Sequence, residues 1–98
     1  MNPAFRHWLG HQQYDRKTIQ NHIAQATRVE EYYGSLDDHY SRDRLESLVE
    51  TFEYSANDER QGRSNPSNIP ILGDLRTNLT AYKSSVRRFC EFKIDERE

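Results

Sequence analysis

Apolar residues recur at steps of three and four along three stretches of the chain, and this spacing constrains the fold more than any other feature. It is clearest between residues 74 and 93, where one helical face carries Leu75, Leu79, Tyr82, Val86 and Phe89. The sequence shows no sustained strand-like alternation of polar and apolar residues. It therefore predicts an all-α fold with a long helix near its carboxyl-terminal end.

Two helices are predicted in the first third of the chain. Residues 15–33 keep the helical spacing, with Asp15 placed to cap the first turn and Gly34 placed to end the last. A shorter helix is predicted over Pro3–Leu9, because proline suits a first helical turn, and Gly10 is expected to end it. Both segments place their apolar residues on one face, as packing in a bundle requires.

A further helix is predicted over residues 41–54, with Ser41 as its cap. Its outer face is acidic and carries Glu46, Glu50 and Glu53. Such a row can contact a basic partner protein, or it can simply keep a small domain hydrated. Both interpretations are open from the sequence.

The connection over residues 55–73 is rich in Asn, Ser, Pro and Gly, which predicts a long loop. Its apolar residues, Ile69, Ile71 and Leu72, are expected to fold back and seal one end of the bundle. A chain of 98 residues has room for one core. The expected architecture is therefore a single domain of four helices, in which residues 94–98 form a tail or a linker.

The sequence also limits the chemistry that the chain can perform. Its one cysteine, Cys90, excludes an internal disulfide and a cysteine zinc site. His7 and His11 have the spacing of two metal ligands on a helix, but Gly10 is expected to interrupt that helix, so neither a metal nor a cofactor is predicted. The absence of nucleophile, phosphate-loop and paired-carboxylate motifs predicts a protein that is not an enzyme. Without a signal peptide or an apolar run of about 20 residues, the chain is expected to be cytoplasmic and to make no membrane contact.

A net charge of −2 conceals an uneven distribution of charge along the chain. Acidic residues dominate between residues 35 and 60, whereas basic residues dominate between residues 63 and 93. Because local potential steers a charged partner more than net charge does, the basic stretch can still attract a polyanion.

Two of the predicted helices carry bands of cations and small polar side chains. The residues concerned are Lys17, Asn21 and Arg28 in the second helix, Arg63 in the long loop, and Arg76, Thr80, Lys83 and Arg87 in the last helix. Rows of this kind suit contacts to DNA phosphates. We expect the two bands to come together as one surface for duplex DNA. The competing interpretations are an ordinary hydrated helix face and a surface for an acidic protein partner.

Two segments resemble a known family of helical domains. Lys17–Ile23 reads Lys-Thr-Ile-Gln-Asn-His-Ile and is similar to a Thr-Ile-x-x-Tyr helix start, with His22 at the position of the tyrosine. Leu79–Phe92 is similar to the motif Leu-Ser-Ala-Leu-Arg-x-Phe-Tyr-x-Phe. On these motifs the chain resembles the N-terminal SAM-like, or core-binding, domain of phage integrases and other tyrosine recombinases.

This resemblance implies a SAM-like four-helix bundle that clamps one side of duplex DNA during recombination, while a separate domain carries out catalysis. The function expected from the sequence is therefore a non-catalytic DNA-binding module. The alternative is a helical protein–protein interaction module (an adaptor, an inhibitor or a specificity domain) that uses the acidic face of Glu46, Glu50 and Glu53.

Overall fold

The computed structural model describes residues 1–97 of the 98-residue chain, and helices are its main elements. Within that range six helices follow one another: α1 (Pro3–His11), α2 (Arg16–Tyr33), α3 (Leu36–Asp43), α4 (Glu46–Thr51), α5 (Ala56–Arg60) and α6 (Leu75–Arg97). α6 has 23 residues and packs against α1, α2, α3 and α4. The all-α fold predicted from the apolar spacing is confirmed, with α6 as its central helix.

The core lies along α6 and is built from the apolar faces of the helices around it. Its buried side chains are Phe5, Leu9, Ala26, Val29, Leu36, Tyr40, Leu45, Leu48, Phe52, Ile69, Leu79, Tyr82, Val86, Phe89 and Phe92. The ring centroid of Phe5 lies 5.1 Å from that of Phe89 and 5.6 Å from that of Phe92. Aromatic pairs of this kind add about 0.5–1.5 kcal/mol each beyond the burial of area. These three rings therefore hold α1 against the second half of α6.

α2 begins and ends where the sequence predicts. The Oδ1 atom of Asp15 accepts a hydrogen bond of 2.7 Å from the amide of Thr18, as an N-cap residue does. This hydrogen bond holds the pKa of the Asp15 carboxyl below its ordinary value. At the other end, Gly34 has a φ of +88°, which glycine adopts without the strain that a side chain would cause.

α1 is two residues longer than predicted. The prediction that Gly10 ends this helix is wrong, because the helix continues to His11. A glycine inside a helix costs about 1 kcal/mol relative to alanine, and the complete burial of Phe5 and Leu9 on the same helix outweighs that cost. The extension keeps His11 on the helix, one turn after His7.

The single helix predicted over residues 41–54 is replaced by two short helices, α3 and α4. Arg44 and Leu45 separate them, because both residues take a left-handed conformation, with φ of 58° and 69°. Ser41 lies inside α3 and does not cap it, since the cap is Ser35. Each left-handed residue costs about 1–2 kcal/mol. The turn carries Leu45 into the core, where its side chain is fully buried.

The predicted loop over residues 55–73 contains a short helix, α5, whose first turn is closed by a capping box. Ile69 is fully buried, and Ile71 is half-buried, as predicted. The prediction that Leu72 also seals the bundle is wrong, because this side chain is 96% exposed. The chain leaves the core after Ile71 in order to reach the start of α6.

α6 continues beyond its predicted end at residue 93 and reaches Arg97. Residues 94–97 are therefore helical rather than a tail or a linker, and Glu98 lies outside the described residues. The Nε1 atom of Trp8 donates a hydrogen bond of 2.9 Å to Oδ2 of Asp95. This contact ties the last turns of α6 to α1.

Candidate nucleic-acid interface

The α6 band comprises Arg76, Thr80, Lys83 and Arg87. It lies beside two acidic residues: Glu53, which follows α4, and Glu59, which lies in α5. Nη1 of Arg76 is 3.7 Å from Oε1 of Glu59, and Nζ of Lys83 is 3.6 Å from Oε2 of Glu53. The acidic and basic stretches, separate along the sequence, are thus in contact in the fold. Such exposed pairs contribute at most about 1 kcal/mol each to stability. They nevertheless reduce the positive potential that a phosphate group would meet at Arg76 and Lys83.

Arg63, the cation predicted in the loop, is paired in the same way. Its Nη1 atom lies 2.9 Å from Oδ1 of Asp58, and Asp58 also accepts a hydrogen bond of 2.8 Å from the amide of Ser55. These interactions, the one with Ser55 above all, hold the pKa of the Asp58 carboxyl below its ordinary value. Arg63 is therefore bound to the first turn of α5.

Three members of the α6 band, Arg76, Thr80 and Arg87, are exposed. Within residues 1–97, no carboxylate oxygen lies within 4.0 Å of the Arg87 guanidinium. In the α6 band, Arg87 is thus the cation that is best placed to meet an anion.

The α2 band, which comprises Lys17, Asn21 and Arg28, keeps its positive charge. Lys17 and Asn21 are exposed, and the guanidinium carbon of Arg28 lies 5.4 Å from the centroid of the Tyr32 ring. Nη2 of Arg28 also donates a long hydrogen bond of 3.5 Å to the carbonyl of Pro70. In the described part of the chain, neither Lys17 nor Arg28 has a carboxylate oxygen within 4.0 Å. The α2 band is therefore better placed for phosphate contacts than the α6 band.

The two bands do not form the single surface expected from the sequence. Ser85 faces α2, since its hydroxyl is bonded to His22 and Gln25. Lys83 faces Glu53, which follows α4. At 3.6 residues per turn, Ser85 and Lys83 point about 160° apart around the helix axis. The α6 band consequently lies on the side of α6 that faces away from α2.

Arg88 is a cation on the α2 side of α6 that neither of the two bands predicted from the sequence includes. Arg88 follows Ser85 by three residues and so shares the side of α6 that faces α2. Burial, and then the charge of Arg88, lowers the pKa of the His22 imidazole. Nη1 of Arg88 lies 2.9 Å from Oε1 of Glu91, three residues along the same helix. A helical wheel centred on Ser85 rather than on the apolar seam would have identified Arg88, because residues three apart share a face.

A buried polar network holds α2 against α6. Ser85 is fully buried. Its Oγ atom donates a hydrogen bond of 2.6 Å to Oε1 of Gln25 and lies 2.8 Å from Nδ1 of His22. Because the Ser85 proton points to Gln25, Nδ1 of His22 carries a proton and donates it to Oγ. The network satisfies its buried polar groups and fixes how α2 lies along α6.

The acidic face predicted for a protein partner is only partly neutralised. Glu46 and Glu50 are exposed on α4, whereas Glu53 lies beside Lys83. Among the side chains of residues 1–96, no cationic nitrogen lies within 4.0 Å of Glu46 or Glu50. These two carboxylates are accordingly placed to meet a basic surface.

The chain matches no known protein-family model, no curated protein and no solved structure. Over residues 1–97, none of the helices combines the length and the hydropathy of a membrane span.

Proposed function

We propose that the chain is a non-catalytic DNA-binding module that positions duplex DNA through contacts to its phosphates. The observation that carries this proposal is the α2 band, in which Lys17 and Arg28 have no carboxylate within 4.0 Å among the described residues. Phosphate contacts fix a protein's position on DNA without reading its sequence. The resemblance of the chain to recombinase core-binding domains favours the same function.

The proposal gives α2 the main role and α6 a smaller one. Arg87 is exposed on the outer side of α6, whereas Arg88, on the α2 side, is paired with Glu91. Arg76 and Lys83 already lie beside carboxylates. DNA would have to compete with those carboxylates, so we expect these two residues to contribute less to affinity.

Binding of a short duplex, measured by fluorescence anisotropy at several salt concentrations, tests the proposal. Each phosphate contact adds about −0.9 to the slope of log K against log salt concentration. Replacing both Lys17 and Arg28 by alanine should therefore make the slope shallower by about 1.8 and weaken binding at low salt. Arg42→Ala is the matched control, because Arg42 is an exposed arginine on α3, and its loss should leave the slope unchanged.

Charge reversal distinguishes the α2 band from the α6 band. Lys17→Glu with Arg28→Glu should weaken duplex binding more than Arg76→Glu with Lys83→Glu does, while circular dichroism confirms that both proteins remain helical. A greater loss in the second variant would assign the interface to α6. If the wild-type chain shows no salt-dependent binding to the duplex, the proposal as a whole is wrong.

A protein–protein interaction module is the second candidate function. The observation that favours it is the exposed pair Glu46 and Glu50, whose carboxylates have no cationic nitrogen within 4.0 Å among the side chains of residues 1–96. Polylysine is a simple probe for this acidic face. If the face is the functional surface, Glu46→Lys with Glu50→Lys should abolish polylysine binding at low salt. Equal polylysine binding by this variant and the wild type would refute that function.

A further inference from the structure

His7 and His11 meet on the exposed side of α1. Because α1 continues through Gly10, the two histidines lie one turn apart on the same helical face. Their Nε2 atoms are 3.1 Å apart, and their ring centroids are 4.6 Å apart. Two N–H groups would repel each other at this distance. One Nε2 atom must therefore present its lone pair to the space between the rings.

We propose that His7 and His11 bind a divalent transition-metal ion of the zinc, nickel and copper class. Two imidazole nitrogens at about 2.0–2.1 Å from one ion are about 3.3 Å apart in a tetrahedral site and about 2.9 Å apart in a square-planar site. The Nε2 atoms of His7 and His11 are 3.1 Å apart, which lies between these values. A small rotation of the rings would thus let an ion replace the shared proton, and imidazole is a favoured ligand for all three metals.

The surroundings of the histidine pair suit a cation. A cleft of about 300 Å³ adjoins the pair and is also lined by Ala4, Trp8, Phe92, Asp95 and Glu96. Asp95 brings negative charge to this cleft from the end of α6, whereas the carboxylate of Glu96 is paired with Lys93 at 3.0 Å. Within residues 1–97, no three His, Cys, Asp or Glu side chains are grouped closely enough to hold one ion. The proposed site accordingly has two protein ligands, with water in the remaining positions, and it does not depend on the proposed DNA interface.

Titration of zinc chloride into the full 98-residue chain, followed by the histidine ring resonances, tests the proposal. The resonances of His7 and His11 should shift together. Those of His22 and His39 should not, because each ring is half-buried, lies apart from the other histidines in the sequence and has one nitrogen hydrogen-bonded within the fold, Nδ1 in His22 and Nε2 in His39. Magnesium chloride at the same concentration should shift none of them, since Mg²⁺ prefers oxygen ligands.

Substitutions identify the ligands. His7→Ala and His11→Ala should each weaken zinc binding, measured by calorimetry, about tenfold or more, because even changes outside the ligand shell cost about 10–100-fold in metal affinity. Gln12→Ala is the matched control on an exposed neighbour and should leave zinc affinity unchanged.

Two outcomes would overturn the proposal. In the first, zinc leaves the His7 and His11 resonances of the wild type unmoved. In the second, both alanine variants bind zinc as tightly as the wild type, which would place the ion on other residues. Because the first measurement uses the wild-type chain, it remains decisive even where a variant unfolds.

Discussion

Replacing Gly10 by alanine should stabilise the protein. Gly10 lies inside α1, and a Cβ atom built at this position would meet no atom within 4 Å, so the added methyl group has room. Glycine in a helix interior is less stable than alanine by about 0.5–1 kcal/mol, because its backbone loses more freedom on folding. We therefore expect Gly10→Ala to raise the free energy of unfolding by about that amount.

Urea unfolding and thermal melting measure this change. For a domain of 60–100 residues, Tm changes by about 4–8 °C per kcal/mol, so Gly10→Ala should raise Tm by about 2–8 °C. The urea m value should stay the same, since the surface exposed on unfolding does not change.

Gly34→Ala is the matched control with the opposite sign. Gly34 has a φ of 88° and a ψ of −176°, a backbone region that is essentially limited to glycine. Alanine there should lower the free energy of unfolding by about 1–3 kcal/mol. If Gly10→Ala instead leaves stability unchanged or lowers it, α1 ends near Leu9 in solution. His11 would then lie outside the helix, and the geometry of the His7–His11 pair would not hold.

Two further predictions concern the core and the contact between α2 and α6. Phe89→Ala should lower the free energy of unfolding by about 3–5 kcal/mol in urea, because Phe89 is fully buried between aromatic rings; a loss below about 1 kcal/mol would contradict this packing. Burial, and then the charge of Arg88, lowers the folded-state pKa of His22, so the unfolded chain binds a proton first as the pH falls. The contribution of His22 to stability should therefore be complete above the ordinary value of 6.5 and should decrease as the pH falls through it. His22→Asn should remove that part of the pH dependence, and an identical pH profile in the variant would disprove its origin in His22.

The long helices could be predicted from the sequence because each repeats its signal over several turns. In α2, the apolar spacing coincides with a capping side chain at Asp15 and a glycine at position 34, so three independent signals agree. The same spacing in α6 identified four of the five buried apolar side chains that this helix contributes to the core, namely Leu79, Tyr82, Val86 and Phe89. Burial of an apolar face then follows with little dependence on the rest of the chain.

The separation of α3 from α4 could not be predicted in this way. Leu45 and Leu48 continue a helical spacing in the sequence, and neither Arg44 nor Leu45 is a residue that favours the left-handed conformation. Tertiary packing separates the two helices, because the complete burial of Leu45 offsets the free-energy cost of the left-handed turn. Local preference alone therefore predicts one helix where packing produces two.

The candidate interface was predicted least well, for a geometric reason. Apolar spacing orients each helix relative to the core, but it does not say which neighbouring helix lies on either side. The pairing of Lys83 with Glu53 joins residues 30 positions apart, and that of Arg76 with Glu59 joins residues 17 positions apart. Only the packed structure therefore shows which cations of α6 remain available to a ligand.

α6 follows the other helices along the chain, and this order has a consequence for biosynthesis. α1, α2, α3 and α4 all pack on α6, so the segments that leave the ribosome first cannot bury their apolar faces completely until α6 has also been made. Phe5 and Leu9 therefore stay accessible to chaperones and proteases during that interval, and a product that ends before Phe89 would lack a large part of the core.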